Sequence, residues 1–259
     1  MKKNGAMENN FNIIKLITAI AVLFAHCDPI LYGRNNQIDW LSRVSGDVGY
    51  VAVDIFFCIS GYLVTKSIIL RDSLSHYIFS RLLRIYPALI VMLVIVVFLM
   101  GPIVSSLPID AYLTNTMTYN YFLKCIFIIK GMAYELPGVF SENPLHAVNG
   151  SLWSIHKEVV FYIILGCLWI SWRLFIRKVG VDFGQVILVM MVLTAALLAS
   201  TGIEPAWWAG SAHLMFIFLE GSALYLVFHQ DRKPVFILAC LLSFILIGYF
   251  LSIDFAAYN

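Results

Sequence analysis

Two groups of ionisable side chains interrupt apolar stretches of this sequence. The segment SLWSIHKEVVFY carries His156, Lys157 and Glu158 side by side at the head of a long apolar run. His26 ends another apolar run, eleven residues after Lys15. A carboxylate beside an imidazole stabilises the imidazolium and can raise its basicity. These residue types are therefore suited to general acid–base chemistry, provided that the fold brings them together.

Two arginines are suited to a second kind of chemistry. Arg81 and Arg84 are three residues apart and would share one face of a helix. Guanidinium groups match phosphate oxygens bidentately, so the pair could hold a phosphorylated ligand. Anchoring of a helix at the cytoplasmic surface is an alternative explanation, and the sequence leaves both open.

The elements that must position these side chains are membrane helices. Of the 259 residues, 61% are hydrophobic and 12% are charged, whereas soluble domains have about 25% charged residues. The net charge of +2 is too small to indicate a nucleic-acid partner. The five cysteines lie mostly in apolar runs and are interpreted as reduced, and no Cys/His cluster predicts a metal site.

Seven apolar runs approach the roughly 20 residues needed to cross a bilayer. They cover residues 12–31, 49–70, 85–104, 152–171, 186–203, 211–228 and 234–252. A shorter run, 119–130, contains two lysines and is predicted to be interfacial or re-entrant. The sequence therefore predicts an all-α polytopic bundle of about seven or eight spans, formed by one membrane-embedded domain over residues 1–259.

The distribution of basic residues predicts the orientation of these spans. Most basic residues fall on one side if the N-terminus is cytoplasmic and residues 105–150 cross an even number of times. Lys15 interrupts the first run and no small-residue cleavage site follows it, so that run is interpreted as a retained helix.

Helix rise gives an estimate of the depth of each ionisable group. His26 would lie roughly 20 Å from the cytoplasmic end of its span, and Glu158 about 9–10 Å below the outer face, at the same depth. This predicts a shared buried site, although a hydrogen-bonded histidine near the outer interface is also possible. Asp54 lies inside an apolar run and needs a partner, either structural or functional. Ser60 and Gly61 beside it predict close helix packing.

Four motifs in this order resemble the membrane acyltransferase-3 family, also called the OafB/OatA-like or NodX-like O-acyltransferases. They are NIIKLITAIAVLFAH (12–26), VGYVAVDIFFCISGYLVT (48–65), RLLRIYPAL (81–89) and SLWSIHKEVVFY (151–162). The resemblance covers roughly residues 12–165. Members of the family run longer, so we expect their C-terminal helices to be missing from this chain.

The resemblance implies transfer of an acyl group, usually acetyl, from cytoplasmic acyl-CoA to a hydroxyl of a cell-surface or lipid-linked glycan, at the bacterial cytoplasmic membrane. It implies no permanently bound cofactor, acetyl-CoA or another acyl-CoA being a substrate. His26 and Glu158 take the catalytic positions. Arg81, Arg84 and Lys15 take the coenzyme-binding positions, and Lys15 replaces the usual arginine. The residues expected to line the substrate are Asp54, Ser60, Tyr62 and Trp153.

Two other functions fit the same residues. A transporter or glycan flippase also uses buried acids and bases as proton relays, although the sequence contains no evident repeat of the kind transporters often have. A non-catalytic, truncated member of the family is the second alternative.

Overall fold

The computed structural model describes residues 10–32, 40–128, 131–200 and 207–229, and the regular elements in these ranges are all helical. The predicted all-α class is therefore confirmed for this part of the chain. The helices follow one another as α1 Phe11–Tyr32, α2 Trp40–Arg71, α3 Leu74–Val94, α4 Gly101–Val104, α5 Ile109–Thr114, α6 Thr116–Ile126, α7 Leu152–Ser171, α8 Phe183–Ser200 and α9 Trp207–His229.

Four helical segments of the described chain are long and apolar enough to cross a membrane. They are Val48–Arg71, Leu74–Val104, Leu152–Val179 and Ser211–His229. Two shorter apolar helices, Phe11–Cys27 and Phe183–Leu198, coincide with the predicted first and fifth spans. The predicted span 234–252 lies outside the described residues.

The third span begins earlier than predicted. Its helix begins at Leu74, after Ser73 caps the N-terminus by accepting a hydrogen bond from the backbone N–H of His76. The apolar run predicted for this span began at residue 85, after Arg81 and Arg84. Both arginines lie inside the helix, as their spacing of three residues predicts, and the same helix contains Pro87.

Residues 105–128 and 131–150 form a folded cap at the end of the third span. A π-helical turn, Ile95–Met100, joins α3 to α4, and the Val97 carbonyl accepts a hydrogen bond from the Tyr112 hydroxyl at 2.9 Å. The run predicted to be interfacial, 119–130, overlaps α6, whose eleven residues extend only about 16 Å. The cap reaches α7 through the Ile128 carbonyl, which contacts His156 Nδ1 at 2.6 Å.

Contacts between helices define their relative directions. Phe11 packs on Tyr62 while Ala25 meets Gly49, so α1 and α2 are antiparallel. The Tyr77 hydroxyl donates to the Tyr162 carbonyl at 2.7 Å. Because Asp72 also pairs with Arg173, the span that begins with α3 runs antiparallel to the span that begins with α7.

Two glycines allow α2 and α9 to pack closely, and the pairs Asp54–His213 and Tyr62–Tyr225 show that the two helices run parallel. A Cβ on Gly61 would lie 1.9 Å from the Phe218 carbonyl oxygen, and a Cβ on Gly221 would lie 1.8 Å from the Cys58 carbonyl oxygen. The obstacle is backbone in both cases, so no side-chain rotation can relieve it. The packing role predicted for Gly61 is confirmed.

We expect Gly61→Ala and Gly221→Ala to lower the thermal stability of the protein, because each methyl group would force the two helices apart. The cost of such overpacking is about 1–3 kcal/mol. Thermal unfolding of the purified chain in lipid nanodiscs measures the effect. Gly150→Ala is the matched control, since a Cβ there meets nothing within 4 Å. Equal melting temperatures for all three variants would contradict the close approach.

Candidate active site

Glu158 is a buried carboxylate in the second turn of α7. Its Oε1 atom accepts a hydrogen bond from the Ser60 hydroxyl of α2 at 3.3 Å and another from the Tyr162 hydroxyl one helical turn further along α7. Ser60 is completely buried. Burial of a carboxylate without hydrogen-bond partners is costly. The link between α2 and α7 supplies these partners to Glu158.

Lys15 joins this carboxylate through Ser60. Its Nζ atom donates to Ser60 Oγ at 3.5 Å and lies 5.0 Å from the centre of the Phe56 ring. Ser60 therefore accepts from the ammonium group of α1 and donates to the carboxylate of α7. The charge of Glu158 acts directly on Lys15.

Arg81 approaches the same carboxylate from α3. Its guanidinium lies 5.5 Å from the centre of the ring of Tyr162, whose hydroxyl binds Glu158. The Arg81 Nη1 atom is buried and has no hydrogen-bond partner within the described part of the chain. A buried guanidinium nitrogen in this state is an available donor for an anion.

Arg84 completes a group of three cations around Glu158, which we name the cationic cluster: Lys15, Arg81 and Arg84. The charges of both arginines act on Lys15 and on Tyr162. The side chain of Arg84 is exposed, unlike the partly buried Arg81. Three positive charges around one carboxylate leave a net excess of positive charge between the helices.

His26 does not belong to this arrangement. Its Nδ1 atom donates to the Val22 carbonyl at 2.7 Å, which leaves the lone pair of the neutral ring on Nε2. Eleven residues separate His26 from Lys15 along α1, or about 16 Å. The hydrogen bonds of Glu158 go to Ser60 and Tyr162, so Glu158 lies at the level of Lys15 and not at the predicted level of His26.

The position of α1 accounts for this difference. Phe11 at its start packs against Tyr62, with ring centroids 5.1 Å apart. Tyr62 precedes the end of α2 by nine residues, or about 13 Å. The described part of α1 therefore begins level with Tyr62. This places Lys15 at the depth of Glu158, where His26 was expected.

Asp54 and His213 form the imidazole–carboxylate pair of the described helices. His213 Nε2 lies 3.0 Å from each carboxylate oxygen of Asp54, across the contact between α2 and α9. Because a carboxylate only accepts hydrogen bonds, this nitrogen carries the proton. The partner that the sequence required for Asp54 is thus a histidine of α9.

The remaining predicted residues lie around these groups. Tyr62 packs in an aromatic cluster with Phe11, Tyr225 and His229, and Trp153 packs against the hydrophobic core. Lys157 donates to Ser211 of α9 at 2.5 Å. His156 and Lys157 therefore link α7 to its neighbours, and of these three residues only Glu158 interacts with the cationic cluster.

Sequence reasoning missed Tyr162, His213 and Glu220. His213 and the buried Glu220 both lie in the predicted span 211–228, where the rule that ionisable residues inside a span deserve a partner would have identified them. Tyr162 follows Glu158 by four residues, the spacing of neighbours on one helical face.

Comparison with known proteins identifies a family and several relatives of this sequence. A family model described as an acyltransferase domain matches residues 8–259. An O-acetyl transferase of Shigella phage Sf6 is 30% identical over 61% of this chain and 45% of its own length. Nodulation protein 10 of Rhizobium leguminosarum bv. viciae is 28% identical over 64% of this chain and 45% of its own.

A third relative is the peptidoglycan O-acetyltransferase OatA of Listeria monocytogenes, which is 28% identical over 72% of this chain and 31% of its own length. The chain thus spans less than half the length of these curated relatives. No solved structure matches it. Because the family model matches nearly all of the sequence, from residue 8 to residue 259, the chain belongs to the acyltransferase domain family.

Proposed function

We propose that this chain acts as a membrane O-acyltransferase. In this proposal it transfers an acyl group, most simply acetyl, from cytoplasmic acyl-CoA to a hydroxyl of a cell-surface or lipid-linked glycan. The family and the names of the relatives support acyl transfer. The observation that carries the donor assignment is the cationic cluster, with its excess positive charge and the buried, unpartnered Nη1 atom of Arg81.

The coenzyme's phosphates supply the anion that this cluster lacks. In this proposal, Arg84 is the exposed first contact, while Arg81 Nη1 and Lys15 hold phosphate oxygens more deeply. Charge-assisted hydrogen bonds of this kind are shorter and stronger than neutral ones. Glu158 acts by positioning, since its hydrogen bonds to Ser60 and Tyr162 hold the partners of Lys15 and Arg81 in place.

His26 is the proposed general base for the acceptor hydroxyl. Its hydrogen bond to the Val22 carbonyl leaves Nε2 as the basic nitrogen. The distance of about 16 Å between Lys15 and His26 along α1 is the distance over which the extended pantetheine arm would carry the thioester. The imidazole takes the hydroxyl proton as the sugar oxygen attacks the thioester carbonyl, the C–S bond breaks, and the proton passes to the departing thiolate.

We also propose a cytoplasmic N-terminus and about seven or eight spans in the bacterial cytoplasmic membrane. The helix directions support this orientation. The antiparallel α1–α2 pair and the parallel α2–α9 pair, together with the Asp72–Arg173 ion pair, bring the basic ends of the spans to one side. Positive residues favour the cytoplasmic side.

We expect Arg81→Gln and Arg84→Gln each to weaken acetyl-CoA binding by roughly tenfold or more, because hydrogen bonds to charged groups contribute about 1.5–3 kcal/mol. Equilibrium binding of radiolabelled acetyl-CoA to the purified chain in nanodiscs measures this. Arg173→Gln is the matched control, because Arg173 pairs with Asp72 at a distance from the cluster. Acetyl-pantetheine, which lacks the phosphates, should bind all variants alike. Unchanged acetyl-CoA affinity in both cluster variants would refute the clamp.

We expect His26→Ala to reduce glycan acetylation by about 10²-fold or more, the usual contribution of a general base, while acetyl-CoA binding stays within twofold of wild type. Mass spectrometry of surface glycans from cells expressing equal amounts of each protein measures the product. His76→Ala, which changes an exposed histidine of α3, is the control. Wild-type acetylation in the His26 variant would exclude this residue as the base. If the purified wild-type chain left acetyl-CoA intact, that result would favour a transporter or a non-catalytic protein.

A further inference from the structure

The Asp54–His213 pair combines two properties that a structural ion pair between membrane helices does not need. It lies within two membrane-spanning segments, yet 16% of the Asp54 side chain and 27% of the His213 side chain are exposed. On one side of the pair the side chains are buried, with Phe57 0% and Leu214 5% exposed, whereas one turn back along α2 Tyr50 is 75% and Val51 48% exposed. The pair therefore lies at an opening where the exposed start of the α2 span meets the buried core.

Lipid is a poor occupant for this opening. An ionisable group facing hydrocarbon costs at least about 2.5–3.5 kcal/mol, so such groups face water or a polar ligand. His213 Nε2 lies equally far, at 3.0 Å, from the two Asp54 oxygens. One N–H shared in this way leaves the carboxylate with further acceptor sites on both oxygens. The pair can thus accept hydrogen bonds from a ligand that donates them.

The Asp54–His213 pair lies at a depth between the cationic cluster and His26. Asp54 precedes Ser60 by six residues, or about 9 Å along α2. Since α1 and α2 are antiparallel, Asp54 is displaced from the cationic cluster toward the end of the bundle where His26 lies. A ligand at Asp54 would therefore lie between the proposed donor clamp and the proposed base.

The chemistry of this opening differs from that of the cluster. The cluster presents cations and suits an anionic ligand, whereas Asp54 presents a carboxylate and suits a neutral donor. Neighbouring hydroxyl groups of a sugar provide two donors at the separation of two carboxylate oxygens. A site built to hydrogen-bond hydroxyl groups also discriminates strongly against ligands that lack them.

We propose that Asp54 binds hydroxyl groups of the acceptor sugar and that His213 positions its carboxylate, an inference that rests on the proposed acyltransferase function. Asp54 touches the sugar and contributes specificity. His213 acts through Asp54, by holding the carboxylate oriented toward the opening. The ligand class is a carbohydrate with two adjacent free hydroxyl groups.

Binding of sugars without donor tests this subsite separately from acyl transfer. The probes are radiolabelled N-acetylglucosamine, methyl α-D-glucopyranoside and methyl α-L-rhamnopyranoside, measured by equilibrium dialysis against the full chain in nanodiscs. We expect at least one to bind, and Asp54→Asn and His213→Gln each to raise its dissociation constant tenfold or more. The acetyl-CoA affinity should change less than twofold. Asp72→Asn, which removes another carboxylate from an ion pair, should change neither.

An exchanged pair separates the subsite from a purely structural contact. Asp54→His combined with His213→Asp keeps an ion pair between α2 and α9 but moves the carboxylate to the other helix. Restored thermal stability together with lost sugar binding supports the proposal. Wild-type sugar affinity in the exchanged variant, or no binding of any probe by the wild-type chain, overturns it. Failure of the proposed function is distinct, because it would appear as absent acetyl-CoA binding by the wild-type chain.

Discussion

The bundle depends on how a carboxylate is tolerated between membrane helices. Removing one partner from a buried ionic network costs about 3–5 kcal/mol, because a charge is left without compensation. Glu158 meets this constraint through Ser60 and Tyr162, and through them it is linked to Lys15 and Arg81. The partners come from α1, α2 and α3 as well as α7. The contacts that compensate the charge of Glu158 therefore align four helices. The same helices hold the cationic cluster near this carboxylate.

Close packing of α2 against α9 organises a second polar level. The contact at Gly61 and Gly221 brings the backbones together, and a rigid pair of this kind aligns Asp54 with His213 further along the same helices. The two levels on α2 differ in charge: cations surround the level of Ser60, and a carboxylate defines the level of Asp54. In the proposed reaction, this separation would attract the anionic donor and the acceptor sugar to different depths of the bundle.

The helices could be predicted from the sequence because membrane hydrophobicity is a local property that fixes each span by its own residues. The importance of Glu158 was also predictable, because an ionisable residue within a span is costly wherever it lies. Its partner was not predictable. Pairing Glu158 with His26 required the starting depth of each helix, and α1 begins level with Tyr62 through packing that no local pattern encodes. An imidazole–carboxylate pair does exist, but Asp54 and His213 form it.

Lys15 illustrates how a departure from the family pattern can be accommodated. The arginine that the family resemblance implies at this position would offer a planar fork that suits two acceptors at once, whereas a lysine is a compact charge with rotatable donors. Here the ammonium group has one hydroxyl acceptor, Ser60, and the face of Phe56 beside it. Both contacts suit a point charge. Because Ser60 donates onward to Glu158, the serine links the ammonium group to the carboxylate, and Lys15 keeps a positive charge at this level.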